Sequence, residues 1–171
     1  MIVSGEELGR LFDECKRSAW RFECQQTYTM PREQDGIRRW RVGEPQPEDH
    51  NIRWHGTVGE IVGSDRSIGR ARVVRRPLSE YLRYQLDWGI PGNIEAGEDI
   101  RILDVTELDL DLPDQDFWIF DDSIVVHLNF ESDGTLINLE RIEDPDLTQY
   151  LELRERALAH AVPLSEWNAR T

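Results

Sequence analysis

The sequence predicts an α+β domain with a central, mostly antiparallel sheet and a C-terminal β-meander flanked by helices. Three observations carry this. Apolar residues recur at helical spacing near both ends: Leu8, Leu11, Phe12 and Cys15, then Leu147, Tyr150, Leu151 and Leu158. Period-two alternation marks the stretches 20–28 and 123–130. The Asp133-Gly134 pair is a hairpin signal between two strand-like runs. With 171 residues, no repeats and no low-complexity linker, residues 1–171 are expected to form a single domain.

The elements follow in order. Ser4 with Glu7 forms a capping-box pattern and opens a helix over 5–18. Trp20, Phe22, Cys24 and Tyr28 alternate with Arg21, Glu23 and Thr27, which predicts a strand with one buried face. Pro31 suits the first turn of a short helix through Trp40. Ile52, Val58, Ile61 and Val62 suggest a helix over 48–63, weakened by Gly56 and Gly59. Ile68–Arg75 reads as a strand. Leu78–Leu86 reads as a helix that ends at Trp88-Gly89-Ile90-Pro91-Gly92. Asp99–Asp104 is a strand, followed by an acidic loop, Val105–Asp116. Phe117–Phe120 is apolar at every position and predicts a central strand covered on both faces. Asp121-Asp122 turns it into a strand whose Ile124, Val126, Leu128 and Phe130 share one face, and Leu136–Ile142 returns. Asp144 caps and Pro145 opens the last helix.

Charge is distributed unevenly. The formal net charge is −14, yet residues 1–85 hold 15 Lys and Arg against 13 Asp and Glu, and residues 86–171 hold 5 against 21. Repulsion from that balance argues against duplex DNA binding by the whole domain, and a basic protein would complement the acidic half. No apolar run approaches the roughly 20 residues of a membrane span. No basic region and apolar core open Met1–Arg10, so no secretory leader is expected. Cys15 and Cys24 show neither CxxC nor metal-ligand spacing and suit reduced, buried thiols in the cytoplasm.

Several stretches resemble a known family. "LFDECKRSAWRFECQQTY", "RVVRRPLSEYLRYQL", "EAGEDIRIL", "LPDQDFWIFDD" and "LERIEDP" are similar to an actinobacterial family of unknown function, over roughly 11–164. The resemblance implies a context and no mechanism, because members are often encoded beside helix-turn-helix regulators of the XRE class. It implies a regulator of that class as protein partner. A fainter likeness links "AGEDIRIL" and "DFWIFDDSIVV" to one half of a phospholipase-D-like domain. That chemistry needs a His nucleophile and a Lys in a His-x-Lys motif, which this chain does not contain.

Candidate sites fall into three groups. Asp109, Asp111, Asp114, Asp116, Asp121 and Asp122 form a dense carboxylate set. It fails the EF-hand pattern and reads as a solvated acidic face, with weak adventitious Ca²⁺ binding as the alternative, and it is the candidate partner-binding surface. From Arg66 to Arg83 there are six Arg and one acid, and Arg72, Arg75 and Arg83 are the candidate clamps for an anionic ligand. Trp40, Trp54 and Trp88 lie near Arg38, Arg39, Arg53 and Arg83, either as core or as a stacking platform. His127 is set opposite the apolar row of its strand, as a polar residue or a general base. His50 and His55 are five apart and do not align on a helix face for a metal. No nucleophile motif, metal or cofactor is predicted.

The expectation is a regulatory or accessory binding protein without turnover, acting through its acidic C-terminal half. The alternative is an enzyme or small-molecule module that takes an anionic ligand on the Arg stripe and the Trp-rich first half.

Overall fold

The computed structural model describes residues 1–170. The elements are β1 (Ile2–Val3), α1 (Gly5–Glu14), β2 (Ser18–Glu23), a 3-10 turn (Pro31–Glu33), α2 (Gln34–Arg41), α3 (Ile52–Gly63), β3 (Ser67–Val74), α4 (Glu80–Tyr84), a π-helical turn (Gln85–Gly89), α5 (Ile90–Glu95), β4 (Asp99–Asp104), β5 (Asp116–Phe120), β6 (Ile124–Phe130), β7 (Leu136–Arg141), α6 (Leu147–His160), β8 (Val162–Pro163) and α7 (Leu164–Ala169).

All eight strands join one sheet in the order β1-β7-β6-β5-β2-β3-β4-β8. The predicted meander is β5-β6-β7, antiparallel throughout. The β2-β3 and β3-β4 pairings are parallel, with Glu23 beside Arg72 and Arg72 beside Ile102. Antiparallel pairs therefore dominate, and a parallel block sits inside them.

Helices cover both faces of the sheet. On one side Trp20, Phe22, Ala71, Val73, Leu103, Phe117 and Ile119 pack with Leu153 and Ala157 of α6. On the other, Trp118, Phe120, Val126 and Leu128 pack with Phe12 of α1 and Val58 and Ile61 of α3. Phe117 and Ile119 thus face away from Trp118 and Phe120, as the unbroken apolar run requires. The capping box forms: Ser4 Oγ accepts from the Glu7 N–H at 3.1 Å, and Glu7 Oε2 accepts from the Ser4 N–H at 2.6 Å. Asp121 and Asp122 both take left-handed backbone angles at the predicted turn.

Four expectations need correction. The first helix ends at Glu14, because Cys15 turns to an extended conformation. The strand expected over 20–28 ends at Glu23 and has no polar outer face: Glu23 is 1% exposed and pairs with Arg70 and Arg72 of β3, and Arg21 is largely buried and pairs with Asp116 of β5. The helix from Glu80 does not stop before Pro91. A π-helical turn carries it into α5, which takes Pro91 near its start. The last long helix starts at Leu147, past Asp144, which has a left-handed backbone and makes no cap.

Candidate functional site

The parallel block brings the carboxyl ends of β2, β3 and β4 to one edge of the molecule. In open parallel sheets, ligand sites gather outside such ends. Gln26 ties two of them together. Its amide donates to Cys24 O at 3.0 Å and Val73 O at 3.1 Å, and its Oε1 accepts from the Arg75 N–H at 2.8 Å. The third end is pinned by Asp104, which accepts from the Thr106 N–H and hydroxyl at 3.0 and 2.6 Å.

Beyond these ends the acidic segment runs round an open hollow of about 580 Å³. Arg75, Thr106, Glu107, Asp109 and Asp111 line it, with Leu108 and Leu110. The alternation of Leu and Asp explains the path of the segment. Leu110 and Leu112 pack on the core beside α6, which leaves Asp109 and Asp111 in solvent. Leu108 stays 41% exposed. Arg75 is exposed and is the one cation among the lining residues.

The six predicted carboxylates divide into two sets. Asp109, Asp111 and Asp114 are exposed. Asp116, Asp121 and Asp122 belong to the frame. Asp116 is fully buried and accepts from Arg21 Nη2 at 3.0 Å, the Cys24 N–H at 2.9 Å, Cys24 Sγ at 3.1 Å and the Tyr28 hydroxyl at 2.5 Å. Asp121 accepts from the backbone N–H groups of Lys16, Arg17 and Ser18. Burial opposes its charge, but those three donors hold the carboxyl below its ordinary value. Asp122 pairs with Arg154 at 2.7 Å.

The three predicted clamps are not brought together. Arg72 is wholly enclosed, Arg75 stands at the hollow, and Arg83 is exposed on α4 near Glu80. Arg72 belongs to a buried ionic cluster that sequence reading missed. Glu23 Oε2 accepts from Arg70 Nη1 at 2.5 Å, and Arg72 Nε lies 3.2 Å from Glu23 Oε1. Arg70 Nε also donates to Glu98 at 2.6 Å, which accepts from Trp54 Nε1 at 2.8 Å. Gln85, on the π-helical turn, donates to Glu23 and accepts from Arg72. Burial resists the charge on Glu23, yet Arg21, Arg70 and Arg72 hold its carboxyl far below the usual range. Three Arg face three carboxylates, so the formal charges of the cluster balance.

The remaining candidates sit in frames of their own. Trp88 is buried in an aromatic cluster with Tyr28, Tyr81 and Tyr84, and Trp40 packs against it while donating to Asp87 at 2.8 Å. Trp54 packs edge-on to Phe12. His127 shares a hydrogen bond with the Tyr150 hydroxyl at 2.8 Å, and burial lowers its pKa. His50 lies edge-on to Trp88, and His55 Nε2 is 3.1 Å from Asn93 Oδ1. Burial and the Asp116 carboxylate push the Cys24 thiol far up, which suppresses its thiolate. No group of three His, Cys, Asp or Glu among the described residues could hold a metal. No described helix is long and apolar enough to cross a membrane.

A family model described as a domain of unknown function, DUF6879, matches residues 6–169. The chain belongs to the DUF6879 family. No curated protein matches this DUF6879 domain. The match spans the residues of the buried cluster, the acidic segment and the hollow.

Proposed function

We propose that this DUF6879 domain is a regulatory or accessory binding protein that works without turnover. Its acidic segment docks a basic protein surface, that of a helix-turn-helix regulator of the XRE class encoded beside it in an actinobacterial genome. The observation that carries this reading is the split among the carboxylates. Asp116, Asp121 and Asp122 have internal partners. Glu107, Asp109 and Asp111 stand round the hollow with no ion pair among the described residues, next to the exposed Leu108. A charged rim beside an exposed apolar residue suits a steered protein contact.

The test is titration of the purified regulator at low and at physiological ionic strength, where exposed charges are screened over about 8–10 Å. Affinity should fall steeply with salt. Replacing Asp109, Asp111 and Asp114 together by Asn should slow association more than it speeds dissociation. Binding that ignores both changes overturns the reading.

A second reading rests on Arg75. It faces the hollow without a carboxylate partner among the described residues, and could hold a small anion there. The faint phospholipase-D-like rhythm would make the domain a fold relative of an enzyme. The sole lysine, Lys16, belongs to no His-x-Lys motif: it stands before β2, where its backbone N–H meets Asp121 just past β5.

A further inference from the structure

On α3, one helix face has no partner. Val58 and Ile61 point into the core, while Ile52 is 62% exposed and Val62 41% exposed on the outer side. Arg53 and Glu60 are also exposed, seven residues apart on one flank of that face, and neither has an ion-pair partner among the described residues. Between them the helix surface is bare. A Cβ added at Gly56, Gly59 or Gly63 would meet nothing within 4 Å. Glycine inside a helix is destabilising relative to alanine, and no neighbour in this chain requires it at these positions.

The pattern is self-complementary. Arg53 with Glu60, Gly56 with Gly59, and Ile52 with Val62 all straddle the same point on the helix, beside Thr57. A two-fold axis crossing α3 there sets two such helices antiparallel. Arg53 of each copy then faces Glu60 of the other, and the glycines allow the two backbones to approach. A basic or an acidic foreign surface would match only one of the two charges.

We propose that α3 is the contact between two copies of this chain, packed antiparallel about a two-fold axis beside Thr57. One helix pair falls short of the roughly 1,200–2,000 Å² of a stable interface, so the dimer is weak and concentration-dependent. This surface is separate from the acidic hollow and stands independently of the function proposed for it.

Sedimentation of the full chain across the micromolar range tests the proposal. A monomer–dimer equilibrium is expected. Glu60→Arg should give a monomer by placing like charges opposite, and Arg53→Glu should do the same. The double variant Arg53→Glu/Glu60→Arg should restore the dimer. Gly56→Leu should also give a monomer while keeping its thermal midpoint, because the space beside Gly56 is open within one chain. A wild-type chain that stays monomeric up to high micromolar concentration overturns the proposal. So does a dimer untouched by Glu60→Arg and Gly56→Leu, or a double variant that fails to recover.

Discussion

Arg72 of β3 lies beside Glu23 of β2 in a parallel pairing, with Nε 3.2 Å from Oε1 and neither side chain reaching solvent. Charges this deep are tolerated because each has several partners. Glu23 meets Arg21, Arg70 and Arg72 and accepts from Gln85, while Arg70 and Arg21 have Glu98 and Asp116 besides. Glu23→Ala should therefore cost about 3–5 kcal/mol, since it leaves buried guanidiniums uncompensated. Glu23→Leu combined with Arg72→Met should cost less than the two single changes added together. Urea unfolding of the cycle checks this, and additive losses would mean that the two do not act as a pair.

Trp118 gives the second prediction. It is 3% exposed and packs edge-on to Phe12 and against Trp54 and Phe120. Trp118→Ala should cost about 3–5 kcal/mol, read from urea unfolding. A loss below about 1 kcal/mol would place Trp118 outside the packed layer.

The strand that holds Trp118 was legible because an apolar residue at every position of Phe117–Phe120 admits only a strand covered on both faces. The Asp133-Gly134 turn and the capping box at Ser4 were legible for the same kind of reason, since local chemistry alone specifies them. Arg21, Glu23 and Arg72 were not. Polar residues alternating with aromatics describe an outer face until strands distant in sequence supply counter-charges, and that pairing is non-local. Asp116, Asp121 and Asp122 read as part of a solvated cluster for the same reason. Strands β1 and β8 are two residues each and exist only through their neighbours β7 and β4. The hollow follows from the parallel order of β2, β3 and β4, which no single segment encodes.

Stability should decline with acid over two pH ranges. Burial lowers the pKa of His50 and of His127. The unfolded chain therefore binds these protons first, so their contribution is complete above about pH 6.5 and declines as pH falls below it. The folded carboxyl of Glu23 is depressed. Its contribution is complete above the unfolded value of about 4.3 and is lost progressively as pH falls from there to the folded one. Urea midpoints measured from neutral to acid pH should show both declines. His127→Phe should shrink the upper one and leave the lower in place. A flat response between neutral pH and the carboxylate range would contradict the burial of both histidines.

The thiols test the binding reading from another side. By exposure, Cys24 should react before Cys15, because Cys15 is buried and Cys24 only partly so. Reactivity, however, follows the thiolate, and burial together with the Asp116 carboxylate raises the Cys24 thiol far above its ordinary value. Its Sγ also donates to Asp116 at 3.1 Å, which holds the proton in place. In the native chain at mildly alkaline pH, Cys24 should therefore resist a thiol-labelling reagent as firmly as Cys15, and both should label together once urea unfolds the protein. Asp116→Asn removes the neighbouring negative charge and should speed labelling of Cys24 over Cys15. Circular dichroism of that variant separates a freed thiol from an unfolded chain. Fast native labelling at Cys24 would mean an activated nucleophile at the carboxyl end of β2, and a reading by turnover would then replace one by binding.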